Sequence, residues 1–196
     1  MRRIQVRTIC LLLVGFFCQS SHAQGGPPSP RAQNLRMAWV ELQKKPDDSI
    51  TQEEYLTVFP HDYKSFLKLF GLNRELYDDG YEYVAILPTL ATRRERQVGT
   101  LLVQLCEDAQ YDADAPSYLQ HAMAAYGTQH TQMFVTLLKR LPPGKQAHVI
   151  AFLADVENPT AYPEYQSIID RLKMLGDSDV ARKFEIAREK RSRSHG

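Results

Sequence analysis

The sequence predicts an all-α fold, one domain of stacked antiparallel helical hairpins, with a short α-solenoid as the extended form of that arrangement. Three observations carry this. From Arg31 onward, apolar residues recur at steps of three and four. The segments so marked are joined by short connections bearing Pro, Gly or Asp, which favour antiparallel neighbours. No stretch reads as a strand as clearly as these read as helices. The hairpins are loosely regular in spacing, but no internal sequence repeat accompanies them.

Taken in order, Leu35, Ala38, Trp39 and Leu42 mark a helix from Arg31 that stops at Pro46-Asp47-Asp48. Thr51-Gln52-Glu53-Glu54 reads as a capping box opening a second helix that Pro60 halts after Phe59. His61 to Phe70 carries the aromatic stripe of Tyr63, Phe66 and Phe70, and Gly71 is expected to close it in a left-handed conformation. Tyr81 to Leu90 is the next helix, with Pro88 near its end, although Tyr81, Tyr83 and Val84 also suit a strand. Arg93 to Asp108 buries Val98, Leu101, Leu102, Leu105 and Cys106 on one face and opens on the solvated Arg93-Arg94-Glu95-Arg96. Gly99 in the buried face admits a close neighbour. Helices follow over Ala115 to Tyr126 (closed by Gly127), from Thr128 or Thr131 to Leu141, over Gln146 to Val156, over Tyr162 to Leu175 (closed by Gly176) and from Asp179 to about Lys190.

The two ends of the chain differ from this body. Residues 1–23 read as a secretory signal peptide. Arg2, Arg3 and Arg7 precede an apolar run from Ile9 to Cys18, and Ser21-His22-Ala23 presents small residues for cleavage before Gln24. That run is too short for a membrane span, which needs about 20 residues, so no stable anchor is expected after cleavage and the product is periplasmic or secreted. Residues 24–30 form a flexible Gly/Pro linker, 31–187 the helical domain, and 188–196 a basic tail with a frayed end.

Charge divides along the same boundaries. The 24 Lys plus Arg fall to 21 when three Arg leave with the leader, against 23 acidic residues, a net of −2. The tail holds four basic residues and one acid, a net of +3, which leaves 24–187 at −5. An acidic body excludes a nucleic-acid binder. With Cys106 the one thiol left after cleavage, no internal disulfide forms, and its apolar neighbours make Cys106 a buried small hydrophobe.

Chemistry-bearing patterns are few. His61, His121, His130, His148 and His195 occur in no metal-binding spacing, so neither a metal nor a cofactor is expected. No nucleophile elbow, phosphate-cradling Gly loop or Cys/His signature occurs, which favours a non-catalytic protein. His121 and His130 lie in adjacent helices and could converge, which keeps open a helical envelope enzyme with scattered acid–base residues. Asp112 and Asp114 read as turn and cap residues.

The ten Tyr are the compositional feature that points to recognition, since Tyr combines apolar area with a polar tip and is favoured at interfaces. Tyr63, Tyr77, Asp78, Asp79, Tyr81, Asp112, Asp114, Tyr162 and Tyr165 are therefore the candidate partner-binding residues, an acidic, Tyr-edged surface suited to a basic protein. The alternative is that Tyr lines the margins of the core.

The run from Glu54 to Gly71 (EYLTVFPHDYKSFLKLFG), followed by Leu76-Tyr77-Asp78-Asp79-Gly80-Tyr81 and Asp112-Ala113-Asp114-Ala115, resembles a pattern of small uncharacterised exported helical proteins of bacteria. Some of these are regarded as immunity partners of secreted toxins. The resemblance implies a protein-binding role, with a basic toxin or an envelope protein as partner, and brings no catalytic residues. A structural or adaptor role in the envelope is the remaining expectation.

Overall fold

The computed structural model describes residues 28–110, 115–155 and 163–194. The expected signal peptide, most of the expected linker and the candidate residues Asp112, Asp114 and Tyr162 lie outside the described residues. Within them the chain is all-α, with ten helices and no strand: α1 (Pro30–Lys44), α2 (Ser49–Val58), α3 (Tyr63–Phe70), α4 (Gly80–Ala85), α5 (Leu87–Cys106), α6 (Ala115–Gln129), α7 (Thr131–Arg140), α8 (Pro143–Ala154), α9 (Pro163–Met174) and α10 (Ser178–Ser194). None is long and apolar enough to cross a membrane.

Helix starts follow local chemistry. Ser29 caps α1, its hydroxyl accepting from the Ala32 amide. Asp48, not Thr51, caps α2: its carboxylate accepts from the Thr51 amide at 2.9 Å and the Thr51 hydroxyl at 2.7 Å. The helix therefore begins earlier than the capping-box pattern implied, and Thr51 sits inside its first turn. Asp62 caps α3 by accepting from the Ser65 amide at 2.8 Å.

Several stops differ from expectation. Gly71 has φ −65°, an ordinary extended conformation. What confines the site to glycine is space, since a Cβ there would lie 2.6 Å from the Leu67 carbonyl oxygen. Pro88 falls in the first turn of α5, where its missing N–H costs nothing, and so opens a helix where it was expected to close one. The α5 backbone breaks at Arg94 (φ −130°, ψ 41°), which joins two helical stretches at an angle. Gly127 lies within α6, which runs on to Gln129 because Phe134 and Ile168 pack on the bare backbone. Gly176 does end α9 as expected: at φ 79° it closes a motif in which the Asp177 amide donates to the Leu172 carbonyl and the Gly176 amide to that of Lys173. The basic C-terminal segment is helical through Ser194 as part of α10.

α1 packs on α2 and α10 on both α8 and α9, and α5 with α6 forms the centre. α5 touches α3, α4, α7 and α8, while α6 touches α4, α7, α8 and α9, so one core runs through the domain. Its N-terminal part is aromatic. Trp39 packs on Tyr55 and Tyr83, Phe59 stacks on Phe70, and Phe66 lies 5.0 Å from Phe70 between ring centres. Each such pair contributes about 0.5–1.5 kcal/mol beyond the area it buries. Gly99 meets its expectation: the Tyr126 ring lies so close over it that any side chain there would overlap the phenol. Cys106 is fully buried among α5 neighbours, and burial pushes its thiol well above the usual range.

Arg94 corrects the solvated opening expected for α5. Its guanidinium donates to Glu53, to the Ser49 carbonyl and to Gln97, and little of the side chain is exposed. This fork ties the bend in α5 to the start of α2.

Candidate functional site

The structure separates the tyrosines by what their hydroxyls do. Tyr55, Tyr126 and Tyr165 are buried, and each donates across a helix interface to a main-chain carbonyl: Tyr55 to Tyr83 at 2.6 Å, Tyr126 to Glu95 at 2.9 Å and Tyr165 to Phe184 at 2.8 Å. A buried hydroxyl needs such a partner, and the pairing turns each ring into a pin between two helices. Desolvation accordingly raises the Tyr55 and Tyr126 hydroxyls above the usual phenol range.

Two candidate partner-binding residues are thereby reassigned. Tyr165 is core, packed on Phe184 with ring centres 5.3 Å apart, and presents no surface to a partner. Tyr63 is half-buried, stacks on Phe66 and donates to the Gln110 carbonyl at 2.7 Å, which fastens α3 to the end of α5. It lines a groove with Lys64, Lys68, Arg74 and Asp108, where basic residues outnumber acidic ones.

Asp78, Asp79 and Tyr81 are each exposed. The segment that carries them follows α3 through a turn in which Asn73 takes φ 59°. Leu76 anchors it, buried and donating its amide to the Leu69 carbonyl at 3.0 Å. Arg36 donates to the Glu75 carbonyl at 2.7 Å and fixes the segment from outside. The chain enters α4 through a turn closed by the Gly80 amide on the Tyr77 carbonyl. Asp79 occupies the cap position, but its side chain makes no capping bond. α4 then buries Gly80, Tyr83 and Val84 and turns Tyr81 and Glu82 outward.

Tyr81 is 55% exposed, high for an aromatic residue in a folded chain. Its ring meets that of Tyr118 edge-on at 5.6 Å, and the two open a groove of about 290 Å³ lined also by Pro88, His121, Ala122 and Glu164. Four elements build it: α4 supplies Tyr81, α5 supplies Pro88, α6 supplies Tyr118 and His121, and the start of α9 supplies Glu164. Exposed Asp78, Asp79 and Glu82 flank Tyr81 in sequence. The π-face of an aromatic ring and a nearby carboxylate both attract a cation, and a Lys or Arg side chain against such a ring gains about 0.5–1 kcal/mol even when exposed. Tyr77 is half-buried beside this surface.

Tyr118 and Glu164 were not singled out in the sequence because the groove joins helices far apart in the chain, and His121 was considered only for its distance from His130.

His121 and His130 have different surroundings. His121 lines the Tyr81 groove, whereas His130 stacks on Tyr126 at 5.2 Å and faces Glu95, with Nδ1 3.2 Å from the carboxylate. His148 faces the Ala109 carbonyl at 2.7 Å and His61 that of Leu56 at 3.1 Å. Among the described residues no three His, Cys, Asp or Glu side chains are grouped so as to hold a metal ion. No protein-family model matches this chain, and no curated protein and no solved structure matches it either.

Proposed function

We propose that this chain is an exported, non-catalytic helical domain that binds another protein through the face around Tyr81. The observation that carries this is the convergence of Tyr81, Tyr118 and Glu164 on one open groove, with exposed Asp78, Asp79 and Glu82 close to Tyr81 in sequence. Exposed Tyr81, backed by half-buried Tyr118, supplies rigid contact area at low entropic cost, and carboxylates such as Glu164 would select a basic partner and speed its approach. In its sharpest form the partner is a secreted toxin, whose basic active-site surface this acidic face would cover. The leader over residues 1–23 supports export, so partner and domain would meet outside the cytoplasm.

The test is affinity capture from an envelope or culture extract, using the chain from residue 24 as bait, with Tyr81→Ala/Glu164→Gln as the comparison. The proposal expects a stoichiometric basic protein on the wild-type bait that is lost from the variant. Failure to recover such a protein on either bait, or equal recovery on both, overturns it.

A further inference from the structure

A larger groove lies elsewhere, in the crease between α8 and α10. These helices run parallel: Gln146 meets Lys183 near one end, and Asp155 meets Arg191 near the other. Between these polar ends lies an open groove of about 590 Å³, floored by Ala147, Ile150, Ala151, Ile186 and Ala187. No aromatic ring lines it. Ile186 is 53% exposed, an uncovered apolar side chain in the wall of an apolar channel. The volume is that of a site for a small organic molecule.

Charge narrows the occupant. Among the described residues, Lys183, Lys190 and Arg191 line the groove against one carboxylate, that of Asp155, a net of +2. Asp155 is committed to Arg191. Lys183 is held differently, by an amide oxygen. Gln146 is 6% exposed, and its Nε2 donates to the Leu138 carbonyl at 3.1 Å, which turns its Oε1 toward the Lys183 ammonium. A neutral acceptor positions the ammonium without neutralising it. Neither Lys183 nor Lys190 meets a carboxylate among the described residues.

We infer that this crease binds a long-chain carboxylate, with its acyl chain along the Ala147–Ile150–Ala151–Ile186–Ala187 floor and its headgroup on Lys183 or Lys190. An apolar body explains the aliphatic floor, and one negative charge answers the uncompensated ammonium groups. A second copy of this chain is a poor occupant, because pairing the creases would oppose their cationic rims. A partner helix is also less suited: Lys183 and Arg191 are eight residues apart, about 12 Å of helix, short of the dozen or so residues that give a helix stability of its own. The site is remote in sequence from the Tyr81 face, so the two proposals stand or fall separately.

The test uses dodecanoate below its micellar concentration, titrated calorimetrically into the chain from residue 24. Dodecyltrimethylammonium and acetate serve as controls, and a Leu- and Glu-rich amphipathic peptide as the competing occupant. The inference expects one dodecanoate per chain, binding about tenfold or more weaker for the cationic amphiphile, and none for acetate. Lys183→Gln/Lys190→Gln should weaken dodecanoate about tenfold. Ala151→Trp, at an exposed position where folding tolerates bulk, should fill the crease and abolish binding while circular dichroism and melting stay unchanged. Absence of dodecanoate binding to the folded wild type, equal binding of the cationic amphiphile, binding undiminished by Ala151→Trp, or binding of the peptide alone would each overturn it.

Discussion

Gly99→Ala is the substitution whose cost the structure defines most sharply. A Cβ at Gly99 would lie 2.0 Å from the Tyr126 hydroxyl oxygen, 2.4 Å from the ring carbon bearing it and 2.7 Å from Leu137 Cδ1, whereas ordinary contact begins near 3.4 Å. The ring has no free space to move into, because Tyr126 is fully buried and its hydroxyl is bonded to the Glu95 carbonyl. Overpacking of this kind costs about 1–3 kcal/mol, and losing the hydrogen bond adds about 1 kcal/mol. The better helix propensity of alanine offsets about 1 kcal/mol. The net is a loss of about 2 kcal/mol, or about 4–8 °C in Tm for a domain of this size. Urea denaturation of the wild type, Gly99→Ala, Tyr126→Leu and the double variant measures it. Once the ring is gone, only the contact with the movable end of Leu137 remains, so Gly99→Ala should cost less, a coupling of at least about 1 kcal/mol. Equal stability of Gly99→Ala and wild type, or the same cost in both backgrounds, would refute the reasoning.

Arg94→Lys should cost about as much stability as Arg94→Ala, roughly 1–3 kcal/mol by urea unfolding, because an ammonium cannot reach Glu53, the Ser49 carbonyl and Gln97 together. Cys106 should resist a thiol reagent in the native protein and react fully in urea, since burial holds it neutral. The Asp48 and Asp62 carboxyls are held below their ordinary range, each chiefly by hydrogen bonds from the Thr51 or Ser65 side chain and amide. A depressed folded-state pKa gives stability that is present above the unfolded value, about 3.9, and lost as pH falls through the folded one. Asp48→Asn/Asp62→Asn keeps the caps without the titration, so its stability should fall less than the wild type's between about pH 4 and 2.

What the sequence disclosed followed from local rules. Apolar spacing marked every long helix, Gly176 met the one requirement only a left-handed residue satisfies, and Gly99 sat in a face too apolar to be wet. What it concealed depended on tertiary partners. Asp48 and Thr51 are both good caps, and only the Gln52 bond to the Pro46 carbonyl and the anchoring of Ser49 by Arg94 show where α2 begins. Gly127 looks like a stop until Phe134 and Ile168 are seen resting on it. Tyr81 and Tyr165 are alike in composition, yet one is half in solvent and the other pins α9 to α10. Nothing in the spacing of a Tyr reveals which carbonyl, if any, lies opposite its hydroxyl.

The partner-binding reading stands on the face built by α4, α5, α6 and the start of α9. The most direct test is a backbone amide NMR titration of the labelled chain with the captured partner. The account predicts shifts concentrated at Tyr77–Tyr83, Tyr118–Ala125 and Glu164, weakened by salt as expected for exposed charges. Shifts confined to other surfaces, with Tyr81, Tyr118 and Glu164 unmoved, would contradict it.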